Sequence, residues 1–107
     1  MNNLINELQV FYNEDPSDPF NIYGLAIEYL KSDWVKSRKY FEELLLNHED
    51  YIATYYHAAA LYLQINELEL AEKTYLKGIE IAKRLGKAHA LNELKRAYQS
   101  YLEEEFE

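Results

Sequence analysis

Three histidines, His48, His57 and His89, are the side chains best suited to acid–base or metal chemistry in this chain. No two of them stand four residues apart as a helical metal pair does, and neither an HExxH motif nor an EF-hand loop occurs. His57 follows Tyr56 in a helix-like stretch, and His48 precedes Glu49 and Asp50 in a polar turn. Such positions read as packed or solvated histidines rather than ligands. No serine occupies a GxSxG elbow, and 3 glycines are too few to build a phosphate-cradling loop. Glu42 and Glu43 are adjacent in sequence, so on a helix their carboxylates diverge and belong to a solvated face. The expectation is therefore no catalytic residue, no metal, no cofactor and no enzymatic activity.

What remains is binding by surfaces, and the elements that shape those surfaces are legible. From Thr54 to Lys83 the chain reads as two helices folded back on each other. Tyr55, Ala58, Ala59 and Tyr62 share one helical face. Leu68, Ala71, Tyr75, Gly78 and Ala82 share another. The intervening Gln64-Ile65-Asn66-Glu67 is short enough only for an antiparallel hairpin, with Asn66 as the expected cap of its second helix. Ala59 and Ala71 are small where the helices must approach. Gly78 inside a helix costs roughly 1 kcal/mol relative to alanine, so it marks close packing, expected to be against a following helix.

The same pattern occurs upstream. Ile22, Leu25, Ala26 and Tyr29 precede Tyr55, Ala58, Ala59 and Tyr62 by 33 residues. Ser37, Phe41 and Leu44 precede Ala71, Tyr75 and Gly78 by 34. The difference of one fits a turn at Ser32-Asp33 that is one residue shorter. In these residues the chain resembles the tetratricopeptide repeat family, whose unit is a helix-turn-helix of about 34 residues. The resemblance runs from about Pro19 to Leu85. The first copy departs from the family pattern at Ser37, where alanine is usual, and at Leu44, where a small residue is usual. It also lacks the small residue usual in the turn, and Lys83 stands where proline is common.

The resemblance implies an all-α fold, a right-handed superhelical stack of antiparallel helix pairs, in a small stand-alone bacterial-type protein. About two repeats, residues 19–51 and 52–85, lie between an N-terminal helix at 1–14 and a C-terminal capping helix at 87–104. It also implies a scaffold in which the first helix of each repeat lines a concave groove that holds a peptide segment of another protein. The groove residues would be Tyr23, Ile27, Leu30 and Lys31 from the first repeat, and Tyr56, Ala60, Leu63 and Gln64 from the second. One subclass grips a C-terminal carboxylate with lysine, asparagine and arginine. Tyr23 and Ile27 replace the first lysine and the asparagine of that clamp, so apolar and aromatic anchoring is expected instead. Two placements are open for Tyr23, Ile27 and Tyr56: exposed in the groove, or packed against the terminal helix.

The flanking elements follow from local signals. Leu4, Leu8, Phe11 and Tyr12, with Ile5, form an amphipathic stripe. It reads as a helix closing the first repeat, or as a segment that docks in the protein's own groove. Asp15-Pro16-Ser17-Asp18-Pro19 breaks the chain, and Asp18-Pro19 is a cap and first-turn pair for a helix to about Lys31. Asp33 should cap a helix from Trp34 to Leu46, and Asp50 the next one. Gly86 reads as a left-handed helix terminator. After it, Ala90, Leu91, Leu94, Ala97, Tyr98, Tyr101 and Leu102 give the last helix one apolar face, expected to rest on Gly78. Phe106, in the acidic end, is a candidate anchor or part of a loose tail.

With 107 residues the chain suits one domain, and 49% hydrophobic content supplies a core. No cysteine is present, so disulfides and thiolate metal sites are excluded. Eleven tyrosines suit faces that are apolar in body and wet at the rim. A formal charge of −8 disfavours nucleic acid and anionic membranes and would steer a basic partner. No run of ~18 apolar residues and no secretory start is seen, which makes a cytoplasmic protein the default. The alternative to peptide binding is self-association into a homo-oligomer through the open ends of the solenoid.

Overall fold

The computed structural model describes residues 3–105, and every regular element among them is α-helical. The order is α1 (Asn3–Glu14), α2 (Pro19–Tyr29), α3 (Trp34–Asn47), α4 (Ala53–Gln64), α5 (Leu68–Leu85) and α6 (Ala88–Glu105). The helices gather into two compact units, one ending at Tyr51 and the other beginning at Ile52. Phe106 lies outside the described residues.

In the first unit the helix starts follow from side-chain chemistry. The Phe20 N–H donates to Asp18 Oδ1 at 3.0 Å, and Pro19 occupies the first turn, where its missing N–H is harmless. The Lys36 N–H donates to Asp33 Oδ1 at 3.2 Å and starts α3. We expect Asp18→Ala and Asp33→Ala each to lower stability by about 1 kcal/mol, read from denaturant midpoints. A change under about 0.3 kcal/mol would mean that other contacts hold these helix ends.

The α2–α3 hairpin buries Ile22, Leu25 and Ala26 against Tyr40, Phe41 and Leu44. Ser37 is fully buried between the helices, and its Oγ donates to the Ala26 carbonyl at 2.6 Å. A small hydroxyl therefore fits where alanine is usual, because it finds an acceptor across the interface. Tyr29 and Tyr40 stack with ring centroids 6.0 Å apart. α1 lies on this hairpin. An ideal Cβ on Gly24 would come within 3.1 Å of Leu8 Cδ2. Tyr12 meets the Tyr40 ring edge to face at 5.5 Å. Ile5, Leu8 and Tyr12 thus form the inner side of α1, while Leu4 and Phe11, on the rim of the same stripe, stay exposed.

In the second unit Tyr55, Ala58, Ala59 and Tyr62 of α4 are buried with Ala71, Thr74, Tyr75, Gly78 and Ala82 of α5. α6 packs on both helices and buries Leu94 and Tyr101. The Tyr75 and Tyr98 rings lie 5.9 Å apart across the α5–α6 contact. Gly86 ends α5 at φ 68°, and the Lys87 N–H reaches back to the Ala82 carbonyl at 2.9 Å, the left-handed termination expected there.

Several expectations need correction. Asn66 does not cap α5. It takes φ 62°, and the Asn66 and Glu67 amides close α4 by donating to the carbonyls of Leu63 at 3.1 Å and Tyr62 at 2.8 Å. Asparagine tolerates the left-handed region, so it terminates α4, and Glu67 precedes α5 without a side-chain cap. Asp50 does not cap α4 either. Ile52 holds that position, with no side-chain cap bond. Nor is the first turn shorter. α2 stops at Tyr29, whereas α4 runs past Tyr62 to Gln64. The first copy is therefore shorter within its helix end, and it lacks the left-handed residue that Asn66 supplies. Finally, the nearest atom to a Cβ on Gly78 is not on α6. It is Tyr55 Cβ on α4 at 2.6 Å, followed by Tyr55 Cγ at 2.8 Å, with Leu94 Cδ1 of α6 third, at 3.1 Å.

Candidate functional site

Each unit leaves one stripe of its first hairpin helix incompletely covered. On α2 the buried face is Ile22, Leu25 and Ala26. Beside it Tyr23, Ile27 and Leu30 are half-buried, and Lys31 is exposed. Leu30 and Lys31 lie just past the last residue of α2 rather than inside it. On α4 the buried face is Tyr55, Ala58, Ala59 and Tyr62. Beside it Tyr56, Ala60 and Leu63 are half-buried and Gln64 is exposed. The two stripes occupy the same helical register, one residue on from the buried set.

The first stripe is braced from below. The Tyr23 ring meets Tyr51 at 5.6 Å, and burial together with the Asp18 charge raises the Tyr51 hydroxyl above its usual pKa. Lys31 Nζ donates to both carboxylate oxygens of Glu28, at 3.0 and 3.1 Å. Glu28 is buried and Lys31 exposed, so the ammonium gives a buried carboxylate an opposite charge at the surface.

In the second unit the stripe borders an open cleft. Tyr56 forms one wall, and the other belongs to α6: His89, Asn92, Glu93, Arg96, Ala97 and Ser100. The cleft holds about 410 Å³. Of the eight stripe residues, Tyr56 is the one that lines it. Of these α6 residues the sequence singles out His89, as a packed or solvated histidine, and Ala97, on the apolar face, but not Asn92, Glu93, Arg96 or Ser100. Their spacing of three and four is a helical face, and it was available as a signal. Polar residues at that spacing read equally well as the solvated side of an amphipathic helix. His57 packs edge to face on Tyr56 at 5.4 Å. Burial lowers its pKa, opposed in part by the negative charge of Glu93. The cleft thus offers an aromatic wall beside a guanidinium, a carboxylate, an amide and a hydroxyl. Those groups suit a peptide backbone with mixed side chains better than a single charge.

The residues first considered for chemistry are separated. Glu42 pairs with Arg38 at 3.0 Å, while Glu43 turns the other way and accepts from the Tyr12 hydroxyl at 3.1 Å. His48 lines a second cleft, in the first unit, and His89 the cleft beside α6. Among the described residues no group of three or more His, Asp or Glu is placed to hold a metal ion.

No protein-family model matches the chain, and no curated protein is similar to it. Solved structures are. The crystal structure of a tetratricopeptide repeat domain protein from Salinibacter ruber is 40% identical, with a TM-score of 0.73, over 78% of this chain and 93% of that one. A solution NMR structure of a tetratricopeptide repeat domain protein from the same organism is 41% identical, with a TM-score of 0.75, over 80% of this chain and 88% of that one.

The chain belongs to the tetratricopeptide repeat family. The all-α, helical-repeat fold class expected from the two in-phase hairpins is the one observed. Tetratricopeptide repeat domains serve in general as protein-interaction modules, and their fold is typically that of a non-enzymatic scaffold. No helix among the described residues is long and apolar enough to cross a membrane.

Proposed function

We propose that this tetratricopeptide repeat chain binds an extended or helical segment of a partner protein on the uncovered stripes of its hairpin helices. On α2 the contacts are Tyr23, Ile27, Leu30 and Lys31. On α4 they are Tyr56, Ala60, Leu63 and Gln64. The observation that supports this reading is the recurrence of one half-buried aromatic and aliphatic stripe, in one register, in both units. Tyr56 is the expected anchor, because it is a rigid aromatic at the wall of a cleft with polar groups opposite it. Partner charge follows from the chain's own −8, which favours a neutral or basic segment. A cytoplasmic setting is part of the same proposal.

A peptide selected from a random library on the immobilised chain supplies the probe. Tyr56→Ala should weaken its binding at least tenfold, about 1.4 kcal/mol, with helicity by circular dichroism unchanged. Unchanged affinity would remove Tyr56 from the contact surface. Loss of helicity would make it a core residue.

Self-association is the second reading. Leu46 is 82% exposed and Phe20 67%, large apolar side chains that a second copy could cover. Light scattering across a wide concentration range separates the two. A constant monomer mass contradicts the assembly reading.

A further inference from the structure

The first unit holds a second cleft of about 410 Å³, which touches α2 at Ile22, on its buried face, and at none of the stripe residues. Tyr12 of α1, Pro16 and Ser17 of the connecting turn, and Glu43, Asn47 and His48 at the end of α3 line it. Glu43 is the feature that calls for explanation. Its Oε1 accepts the Tyr12 hydroxyl at 3.1 Å, while Oε2 is shut off from water and has no hydrogen-bond donor. A carboxylate oxygen held in that condition is destabilising, because the charge has lost its water without gaining a partner. The nearest cations on α3 are engaged elsewhere. Lys39 Nζ lies over the Tyr40 ring at 5.6 Å, and Arg38 is paired with Glu42.

We infer that this cleft is a binding site for a guanidinium group, presented by an arginine of a basic partner segment. The chemistry is complementary at each point. The last torsion of a glutamate is broad and roughly two-fold, so Glu43 can turn either oxygen toward the cleft at small expense. A guanidinium brings several N–H donors in a fixed fork. One reaches the oxygen that no group of the chain satisfies, while others reach the Asn47 side-chain carbonyl or the Ser17 hydroxyl. The Tyr12 ring gives the planar cation an aromatic surface. An ammonium offers the charge without the fork or the stacking plane and fits less well. The net charge of −8 brings such a segment toward the chain. This inference is independent of the stripes on α2 and α4, because it concerns different residues and a different ligand group.

The test is a titration of the full chain with N-acetyl-arginine amide, followed by backbone amide shifts. The uncharged isostere N-acetyl-citrulline amide is the control. Saturable shifts are expected at Tyr12, Ser17, Glu43, Asn47 and His48. The citrulline compound should bind at least tenfold more weakly, and Glu43→Gln should abolish the response. Tyr12→Phe, which withdraws the donor from Oε1, should keep arginine binding or tighten it, so it serves if Glu43→Gln proves poorly folded. Equal shifts with the two compounds would overturn the assignment. So would shifts spread over the acidic surface, arginine binding that survives Glu43→Gln, or no response at all.

Discussion

Leu94→Ala is expected to lower the stability of the second unit by about 2–5 kcal/mol, the loss typical of a fully enclosed leucine. Leu94 is 1% exposed and, with Tyr101, is what α6 buries. Its Cδ1 comes within 3.1 Å of where a Cβ on Gly78 would stand, so it fills the hollow that the glycine leaves. Without it, α6 keeps Tyr101 and the Tyr75–Tyr98 ring contact, and little else that is enclosed. The cleft beside Tyr56 depends on α6 for its second wall, so the same substitution should also blunt the peptide binding proposed there. Urea unfolding measures the first effect. A loss under about 1 kcal/mol would mean that α6 does not rely on this contact.

Gly78→Leu should destabilise by about 1–3 kcal/mol through overpacking. Gly78→Ala is the more telling variant. Helix propensity alone predicts a gain of roughly 1 kcal/mol from replacing a mid-helix glycine by alanine. A Cβ here would lie 2.6 Å from Tyr55 Cβ and 2.8 Å from its Cγ. Tyr55 Cβ moves only with the α4 backbone, so α4 and α5 would have to separate to admit a methyl group. The expected outcome is therefore a net loss for alanine and a larger one for leucine. A thermal melt in which the alanine variant is more stable would show that the helices are not in such close approach.

The contrast between Gly78 and Asn66 shows what the residues disclose in advance. Periodicity placed Tyr55, Ala58, Ala59, Tyr62, Ala71, Tyr75 and Ala82 inside, and they are inside, because three- and four-residue spacing acts over one helix. Asp18, Asp33 and Gly86 were readable for the same reason, since each acts on a backbone group within a few residues. Asn66 misled because asparagine serves both a helix start and a left-handed helix end. Which role it takes depends on whether α4 runs two residues further. Gly78 gave a correct warning of close packing but not its direction, because a glycine carries no side chain to point anywhere. The sites were less legible than the fold. Tyr12 meets Glu43 across 31 residues of sequence, and Tyr56 meets a polar face of α6 more than thirty residues away. No local pattern records either meeting.

We propose that a partner segment binds on the half-buried stripes, and at Tyr56 above all. The most direct measurement is amide chemical-shift mapping of the chain with a peptide selected from a random library on the wild-type chain alone, and then with the same peptide on the Tyr23→Ala, Tyr56→Ala double variant as the control. The largest shifts are expected at Tyr23, Ile27, Tyr56, Ala60 and Leu63, with none for the double variant. Shifts confined to other surfaces, or a peptide that the double variant binds equally well, would contradict it.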